Sequence, residues 1–338
     1  MINLKLKHEI TKFIESLGIK CFGFTKCRKF DELYDYYESK KLNKFFTEFE
    51  EEEDIEKRIN PFLYMENGET IISIAVPYYR EGFSYNENFS KYTQGLDYHH
   101  VVGNYLKQIC EFLKLNGYEG KSFCDSNNLP ERYIAYLCDY GHIGRNSLFY
   151  TELYGSYVFL GEVITNAKLC DELKKEDYIR KYNDISNFKH CGKCNNCIRK
   201  CPNDVLIEKN FRKCVSNLTQ QKHLDDEEIN KLNGMIFGCD ICQDVCPKNR
   251  NREFSFDDKF DVQELFNFID DFTIANMDNK FFKENFKKVS CSWRGKNLLK
   301  RNVIIKNKND IDFIENLNYL NVEYLNNYKN RILCKKRK

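Results

Sequence analysis

Apolar positions recur at three- and four-residue intervals near the start of the chain. Ile10, Phe13, Ile14 and Leu17 fall on one face of a helix predicted over residues 4 to 17, with Gly18 as its C-terminal cap. Cys21-Phe22-Gly23-Phe24 reads as a short strand, and residues 31 to 58 as charged helix whose acidic run, Glu50 to Asp54, is a solvated face. The stretch TIISIAV, Thr70 to Val76, is β-branched and almost continuously apolar, the pattern of a strand covered on both faces. A second helix is predicted from about His99 to Leu115, with Val102, Leu106, Ile109 and Leu113 in one stripe, Asp97 as candidate N-cap and Gly117 ending it. Beyond it Gly141, Gly144, Gly155 and Gly161 punctuate aromatic and β-branched segments, either as turns or where backbone meets a large ligand. Strands alternating with helices predict an α/β sheet.

Composition adds bounds to this pattern. With 338 residues, 42% hydrophobic and 15% aromatic, the chain can bury one large core or two medium ones. No eighteen apolar residues run together, and MINLKLKHEITKF has neither an apolar h-region nor a twin arginine, so a soluble, cytoplasmic protein is expected. The net charge of +2 conceals an asymmetry, because residues 280 to 338 hold sixteen Lys and Arg against five Asp and Glu. With Phe281, Phe282, Phe286, Trp293 and Tyr328, this basic region is a candidate nucleic-acid surface, while Lys335, Lys336, Arg337 and Lys338 also suit a solubilising tail.

The chemistry is concentrated between Cys191 and Pro247, which hold eight of the sixteen cysteines. Cys191, Cys194, Cys197, Cys201 and Pro202 form C-x2-C-x2-C-x3-C-P; Cys239, Cys242, Cys246 and Pro247 form C-x2-C-x3-C-P; Cys214 lies between. Two such runs specify two 4Fe-4S clusters, with the last cysteine of each run crossing to the other cluster. The ligand sets are then Cys191, Cys194, Cys197 and Cys246 for one, and Cys201, Cys214, Cys239 and Cys242 for the other. Two four-cysteine zinc sites are the alternative, but the repeated C-x3-C-P ending is a cluster habit. Cys21, Cys27, Cys110, Cys124, Cys138, Cys170, Cys291 and Cys334 show no ligand spacing.

The order KYTQGLDYH (91 to 99), DSNNLPER (125 to 132), GHIGRNSL (141 to 148), GSYVFLGE (155 to 162), CGKCNNCIRKCP (191 to 202) and GCDICQDVCPKNR (238 to 250) resembles the epoxyqueuosine reductase family. The likeness spans roughly residues 5 to 305. It implies a cobalamin held base-off in an α/β (α+β) domain of reductive-dehalogenase type, then a ferredoxin-like double 4Fe-4S module and a short helical C-terminal region. The boundaries expected are 1–170, 171–255 with a surface insertion over 166 to 190, and 256–338, where SWRGKNLLKRNVIIKN (292 to 307) is similar to the start of a HEAT repeat.

The reaction implied is reduction of the epoxide of epoxyqueuosine, at the wobble position of tRNA, to the alkene of queuosine. The partners implied are that tRNA and a flavodoxin- or ferredoxin-like electron donor, with the chain a monomer. Asp125 matches the family's proton donor and would need a raised pKa, as burial against the corrin would give. Glu131 is the local alternative, or a partner of Arg132. Arg58, Tyr98, His99, Asp125, Gly144, Ser147, Ser156 and Gly161 are carried over as cobalamin contacts, His99 not as a cobalt ligand. The chain departs from the family at Arg145, where lysine is frequent, at Asn128, at Asn203-Asp204 in place of a Thr-Gly pair, and at Lys248. A corrinoid reductase of another substrate, or an electron-transfer protein without corrinoid, stays open at this point.

Overall fold

The computed structural model describes residues 2–50, 54–319 and 322–336. In chain order the elements are α1 (Leu4–Ser16), β1 (Cys21–Lys26), α2 (Tyr34–Leu42), α3 (Ile55–Ile59), β2 (Thr70–Pro77), α4 (Tyr98–Leu115), β3 (Gly120–Phe123), α5 (Glu131–Leu137), β4 (His142–Ile143), β5 (Phe149–Tyr150), β6 (Val158–Thr165) and α6 (Lys175–Ser186). There follow α7 (Asn196–Lys200), α8 (Val205–Glu208), α9 (Val215–Gln220), α10 (Asp226–Asn230), α11 (Ile241–Asp244), α12 (Leu265–Phe268), α13 (Asp271–Asn276), α14 (Asn279–Asn285), α15 (Lys296–Lys306), α16 (Ile311–Asn316) and α17 (Glu323–Lys336). They make two compact units, neither a single stretch: Met1–Glu81 with Tyr98–Lys200 and Cys242–Asp258, and Gly82–Asp97 with Cys201–Ile241 and Lys259–Lys338. This division differs from linear cuts at 170 and 255, because compactness follows side-chain packing and not chain order.

The first unit is built on a four-stranded sheet in the order β1-β2-β6-β3. Every pairing in it is antiparallel, which corrects the α/β expectation towards its α+β form. An unbroken apolar strand reports burial on both faces and not strand direction. Every residue of β2 is buried. Burying each of Ile71, Ile72, Ile74 and Val76 contributes about 1.5–3 kcal/mol. One face is covered by α4, whose Val102 and Leu106 lie so close to Gly161 that a Cβ there would meet them at 2.8 and 2.9 Å. The other face is covered by α5 and its end, where a Cβ on Gly23 would meet the Cys138 carbonyl at 2.2 Å.

Two local expectations fail in this unit. The charged stretch 31 to 58 is two short helices, and Glu50 is no solvated residue, since it pairs with Lys40 and lies 4.0 Å from Arg58. Asp54 caps α3 through the Lys57 amide, and residues 51–53 of the acidic run lie outside the described residues. Over 166 to 190 the chain is more than a surface insertion: α6 buries Tyr178, and the Arg28 guanidinium stacks 3.5 Å over its ring.

The second unit is helical, around a core drawn from Leu218 and Ile236 through Phe266, Phe286, Val303 and Ile304 to Leu325 and Tyr328. Its central helix, α15, is buried from Leu298 to Ile305 and packs against α13 and α17. Arg301 and Asn302 are buried there because they satisfy carbonyls at the end of α9: Arg301 donates to Leu218 and Gln221 at 3.2 and 3.0 Å, Asn302 to Thr219 at 2.7 Å. Among the described residues no helix is long and apolar enough to cross a membrane.

Candidate functional site

Asp125 stands two residues past the end of β3 and adopts φ 55°, a left-handed conformation that is strained for a residue with a Cβ. Tyr98 and His99, on the first turn of α4, converge on it. The Tyr98 hydroxyl donates to Asp125 Oδ2, and His99 Nε2 lies 3.6 Å from the same oxygen and 3.3 Å from Ser126 Oγ. The Tyr98 ring stacks on Phe159 of β6 at 4.2 Å and 9°, and on His99 at 4.2 Å, which makes an aromatic wall beside the acid. Desolvation opposes ionisation of Asp125, but the hydrogen bonds from His99 and Tyr98 outweigh it and hold the carboxyl below the usual carboxylate range. The raised pKa expected from sequence is therefore absent from the free chain, in which the Asp125 side chain is 63% exposed.

The raised acids stand one layer deeper. Glu131, at the start of α5, accepts hydrogen bonds through Oε1 from the Asp125 amide and from Asn127 Nδ2, both at 2.7 Å. Burial and the Asp125 charge push its pKa up to about 7. Glu162 of β6 is fully buried, accepts from Ser73 Oγ at 3.0 Å, and is pushed well up by burial and by the neighbouring Glu131. Glu131 was foreseen as an alternative acid or as an Arg132 partner; it holds the Asp125 backbone instead, and Arg132 donates to the Ser147 carbonyl. Glu162 was missed, although it ends the GSYVFLGE motif and a carboxylate in an apolar strand is itself a signal.

Several expected cofactor contacts are occupied by protein. Gly161 lies under α4, and a Cβ on Gly144 would meet the Tyr150 ring at 2.4 Å. Ser156 is buried, its hydroxyl donating to Gln243 Oε1 at 2.9 Å and its amide to Asn249 Oδ1 at 2.8 Å. All three positions pack closely against protein. Arg58 is buried among Tyr37, Phe46 and Glu50, with its guanidinium 5.5 and 5.2 Å from the two ring centres. Ser147, at φ 61°, together with Tyr98, His99 and Asp125, stays at the accessible rim.

Seven of the eight cysteines fall into two groups, Cys191, Cys194, Cys197 and Cys246 in the first unit and Cys201, Cys214 and Cys239 in the second, while Cys242 begins a stretch of the first. In the first, Cys197 feels the thiols of Cys191 and Cys246, and Cys194 follows Cys191 in a turn closed by a 3.0 Å hydrogen bond. The Arg145 amide points at Cys191 Sγ at 3.4 Å, its guanidinium donates to the Gly192 carbonyl at 2.8 Å and lies 4.6 Å from the Phe188 ring centre, and Tyr150 Oη is 3.5 Å from Cys246 Sγ. In the second unit Cys239 feels Cys214 and Cys201, and burial foremost raises its thiol to about 12. Cys242 comes three residues after Cys239. Among the described residues no three His, Cys, Asp or Glu side chains close around one point as the ligands of a single metal ion do. Sequence reasoning missed Gln243 and Asn249, inside the second run, whose bonds to Ser156 and each other fix the backbone that carries Cys246. Gly238 opens that run at φ 74° against Ser90, where a Cβ would come within 2.4 Å.

The basic region is sorted by burial. Phe286 and Tyr328 are core residues, Phe281 and Phe282 pack against the core, and Lys300 and Arg301 are buried. Trp293 remains 53% exposed, held by its indole N–H to Gln220 Oε1 at 2.9 Å with the Arg294 guanidinium 5.0 Å away. The side chains of Lys335 and Lys336, and all of Arg337 and Lys338, lie outside the described residues.

Comparison with known proteins bears directly on this arrangement. Residues 58–126 match the family model described as Epoxyqueuosine reductase QueG, DUF1730, and residues 190–249 match the 4Fe-4S double cluster binding domain. The chain is 32% identical over 325 residues to the epoxyqueuosine reductase of Bacillus subtilis (strain 168), covering 89% of this chain and 78% of that protein. It superposes with a TM-score of 0.84, at 28% identity over 98% of this chain and 90% of the other, on a crystal structure of epoxyqueuosine reductase with an epoxyqueuosine-modified tRNA-Tyr stem loop. A Bacillus subtilis epoxyqueuosine reductase structure, in which the loop of a catalytic aspartate is swung out of the active site, gives a TM-score of 0.85 at 29% identity, over the same shares of the two chains. By sequence over most of its length and by fold, the chain belongs to the epoxyqueuosine reductase family.

Proposed function

We propose that the chain reduces the epoxide of epoxyqueuosine in tRNA to the alkene of queuosine, with Asp125 as proton donor, two 4Fe-4S clusters and a base-off cobalamin. The observation that carries the catalytic assignment is the convergence of Tyr98 and His99 on one carboxylate oxygen of a residue held at positive φ. Backbone strain at a solvent-open acid is a device of sites where position matters more than stability.

The residues fit both kinds of cofactor. Crowded thiols with a backbone amide directed at Cys191 Sγ are the donor chemistry an iron-sulfur cluster takes. Cys191, Cys194, Cys197 and Cys246 would hold one cluster, and Cys201, Cys214, Cys239 and Cys242 the other. The stacked Phe159, Tyr98 and His99 offer a flat apolar wall to a corrin, with Ser147 and Asp125 beside it. A corrinoid domain of the reductive-dehalogenase kind is the finer reading of the first unit, with Arg58 on its approach. His99 is engaged with Asp125 and Ser126, which suits a cobalamin that takes no histidine from the protein. The clusters and cobalamin together supply the low-potential electrons that no side chain provides.

Epoxide to alkene consumes two electrons and two protons and releases the oxygen as water. The chain's part is to place the ring and deliver a proton to that oxygen, since an alkoxide is a poor leaving group. Tyr98 and His99 fix the direction of the Asp125 carboxyl. Their hydrogen bonds favour its ionised form, so covering the site must exclude water and raise the pKa before Asp125 can donate. In the Bacillus subtilis relative the loop of the catalytic aspartate also takes a swung-out position, and Asp125, strained and exposed, is the matching element here. Trp293 and Arg294 are the candidates for meeting the tRNA.

The test is an anaerobic assay of cluster-reconstituted, cobalamin-loaded protein with a reductant and epoxyqueuosine-containing tRNA, read by mass analysis of released nucleosides. Loss of one oxygen, dependent on cobalamin and slowed at least about a hundredfold by Asp125→Asn, is expected. Turnover at the wild-type rate despite the substitution removes Asp125 from the mechanism, and no turnover with full iron and cobalt points to another substrate.

A further inference from the structure

Behind Asp125 lies an arrangement that the proton-donor reading does not use. Glu162 sits in β6 directly opposite Ser73 of β2, fully buried. Its Oε1 accepts from Ser73 Oγ at 3.0 Å, and the Tyr140 hydroxyl is 2.7 Å from the same Oγ. Among the described residues its Oε2 meets no N–H or O–H donor, and the Glu131 carboxyl also lies within hydrogen-bonding reach of this carboxyl. Two carboxyl groups that meet in a dry interior attract only when a proton lies between them; two carboxylates repel.

Glu131 is also the tether of the loop. Its Oε1 takes both the Asp125 amide and the Asn127 side chain at 2.7 Å. A non-glycine residue at φ 55° costs about 1–3 kcal/mol and persists only where its surroundings impose it. We infer that Glu131 and Glu162 together anchor the Asp125 loop in its seated position, and that the anchor holds only while one proton is shared between the two carboxyls. Glu131 and Glu162 are thus positioning residues, acting through the Asp125 backbone.

The charges around the pair agree. Asp125 repels Glu131, and Arg132 attracts it. Around Glu162 stand Ser73, Tyr140 and Cys138, the latter two kept neutral by burial foremost. Burial and the Asp125 charge bring the Glu131 titration to about 7, so the proton leaves within the neutral range. Once it is gone, Glu131, the member nearer the surface, relieves the repulsion by turning to water and releases the Asp125 amide. The inference rests on the reading of Asp125 as the acid only for its catalytic meaning; the anchor itself is a property of the free chain.

Hydrogen exchange of the segment 124 to 130, in the cluster-reconstituted full chain without substrate, tests it after correction for intrinsic rates. Wild-type protection should fall by up to about thirtyfold from pH 6 to pH 8.5, the change expected for one proton titrating near neutrality. In Glu131→Gln the new amide can accept from Asp125 and donate to Glu162, so protection should become independent of pH; Glu162→Gln should do the same from the other side. Glu131→Ala should leave the segment unprotected at both values. Wild-type protection that ignores pH, amide variants that track wild type, or an alanine variant as protected as wild type would each overturn the anchor. Turnover measured on the same samples separates the two ideas: a pH-dependent loop in a chain that cannot reduce epoxyqueuosine keeps the anchor and removes the proposed reaction.

Discussion

The hydroxyl of Tyr98 donates a hydrogen bond to Oδ2 of Asp125, so the carboxyl proposed to give up a proton is held in its ionised form while the site is open. Tyr98→Phe removes that donor and raises the Asp125 pKa. The alkaline limb of the kcat/KM profile should then move to higher pH, because the acid keeps its proton longer. Asp125→Asn, by contrast, should lower kcat by about 10²–10⁴-fold, the usual worth of a positioned general acid. A Tyr98→Phe profile that does not move on the pH axis would show that the hydrogen bond has no part in proton delivery.

Glu131 and Glu162 make stability depend on pH with a definite sign. Both have folded-state pKa values above the unfolded ones, Glu131 reaching about 7 from 4.5. The folded state therefore binds more protons between these values, and stability falls as pH rises through that window. Chemical denaturation at pH 5 and pH 8 should show the fall, and Glu162→Gln should flatten it.

In the ligand sets proposed above, the last cysteine of each run serves the other cluster. Cys246→Ala should deplete the same cluster as Cys191→Ala, and Cys239→Ala the other. Each variant should lower bound iron from about eight atoms per chain to about four. Electron paramagnetic resonance of the reduced samples distinguishes them: the first two must leave the same residual signal, and the third a different one.

Trp293 is the exposed aromatic of the basic region that packing leaves available. If it stacks on a base, Trp293→Ala should weaken binding of a tRNA stem loop by about 1–3 kcal/mol. Phe286→Ala should act through the fold instead, at about 3–5 kcal/mol of stability, since that ring is fully buried. Affinity and melting measured on both variants decide which ring touches RNA.

Asp204 holds φ 53°, a left-handed conformation. Its short polar side chain tolerates this conformation better than most, but glycine does so without a Cβ. Asp204→Gly should stabilise the chain by about 1 kcal/mol or less, measured by denaturation of the reconstituted protein.

The two amphipathic helices and the central strand were legible because each buries a stripe or a whole segment, and burial writes itself into local periodicity. Strand direction was not, since β2 looks the same to its own sequence whether β1 and β6 run with it or against it. The double-cluster segment was legible because cysteine spacing is local. Gln243, Asn249 and Glu162 were not singled out, because each acts on a partner about 30 to nearly 100 residues away, and a single polar residue inside a motif does not say what it faces. The protein neighbours of Gly161 and Ser156 were hidden for the same reason: a small residue marks close approach without naming what approaches.

That each compact unit draws on three separated stretches also sets a timetable for synthesis. The first unit cannot close until Asp258 has left the ribosome, although its sheet is complete by Thr165. During that interval Cys191, Cys194 and Cys197 have emerged without Cys246, so with the ligand set proposed above cluster assembly on the nascent chain would have to wait some fifty residues or begin with three thiolates. A truncation at residue 170 or 255 would therefore remove packing partners from the unit it was meant to isolate, and a cut after Asp258 would keep the first unit whole while stripping Cys201–Ile241 of most of its core.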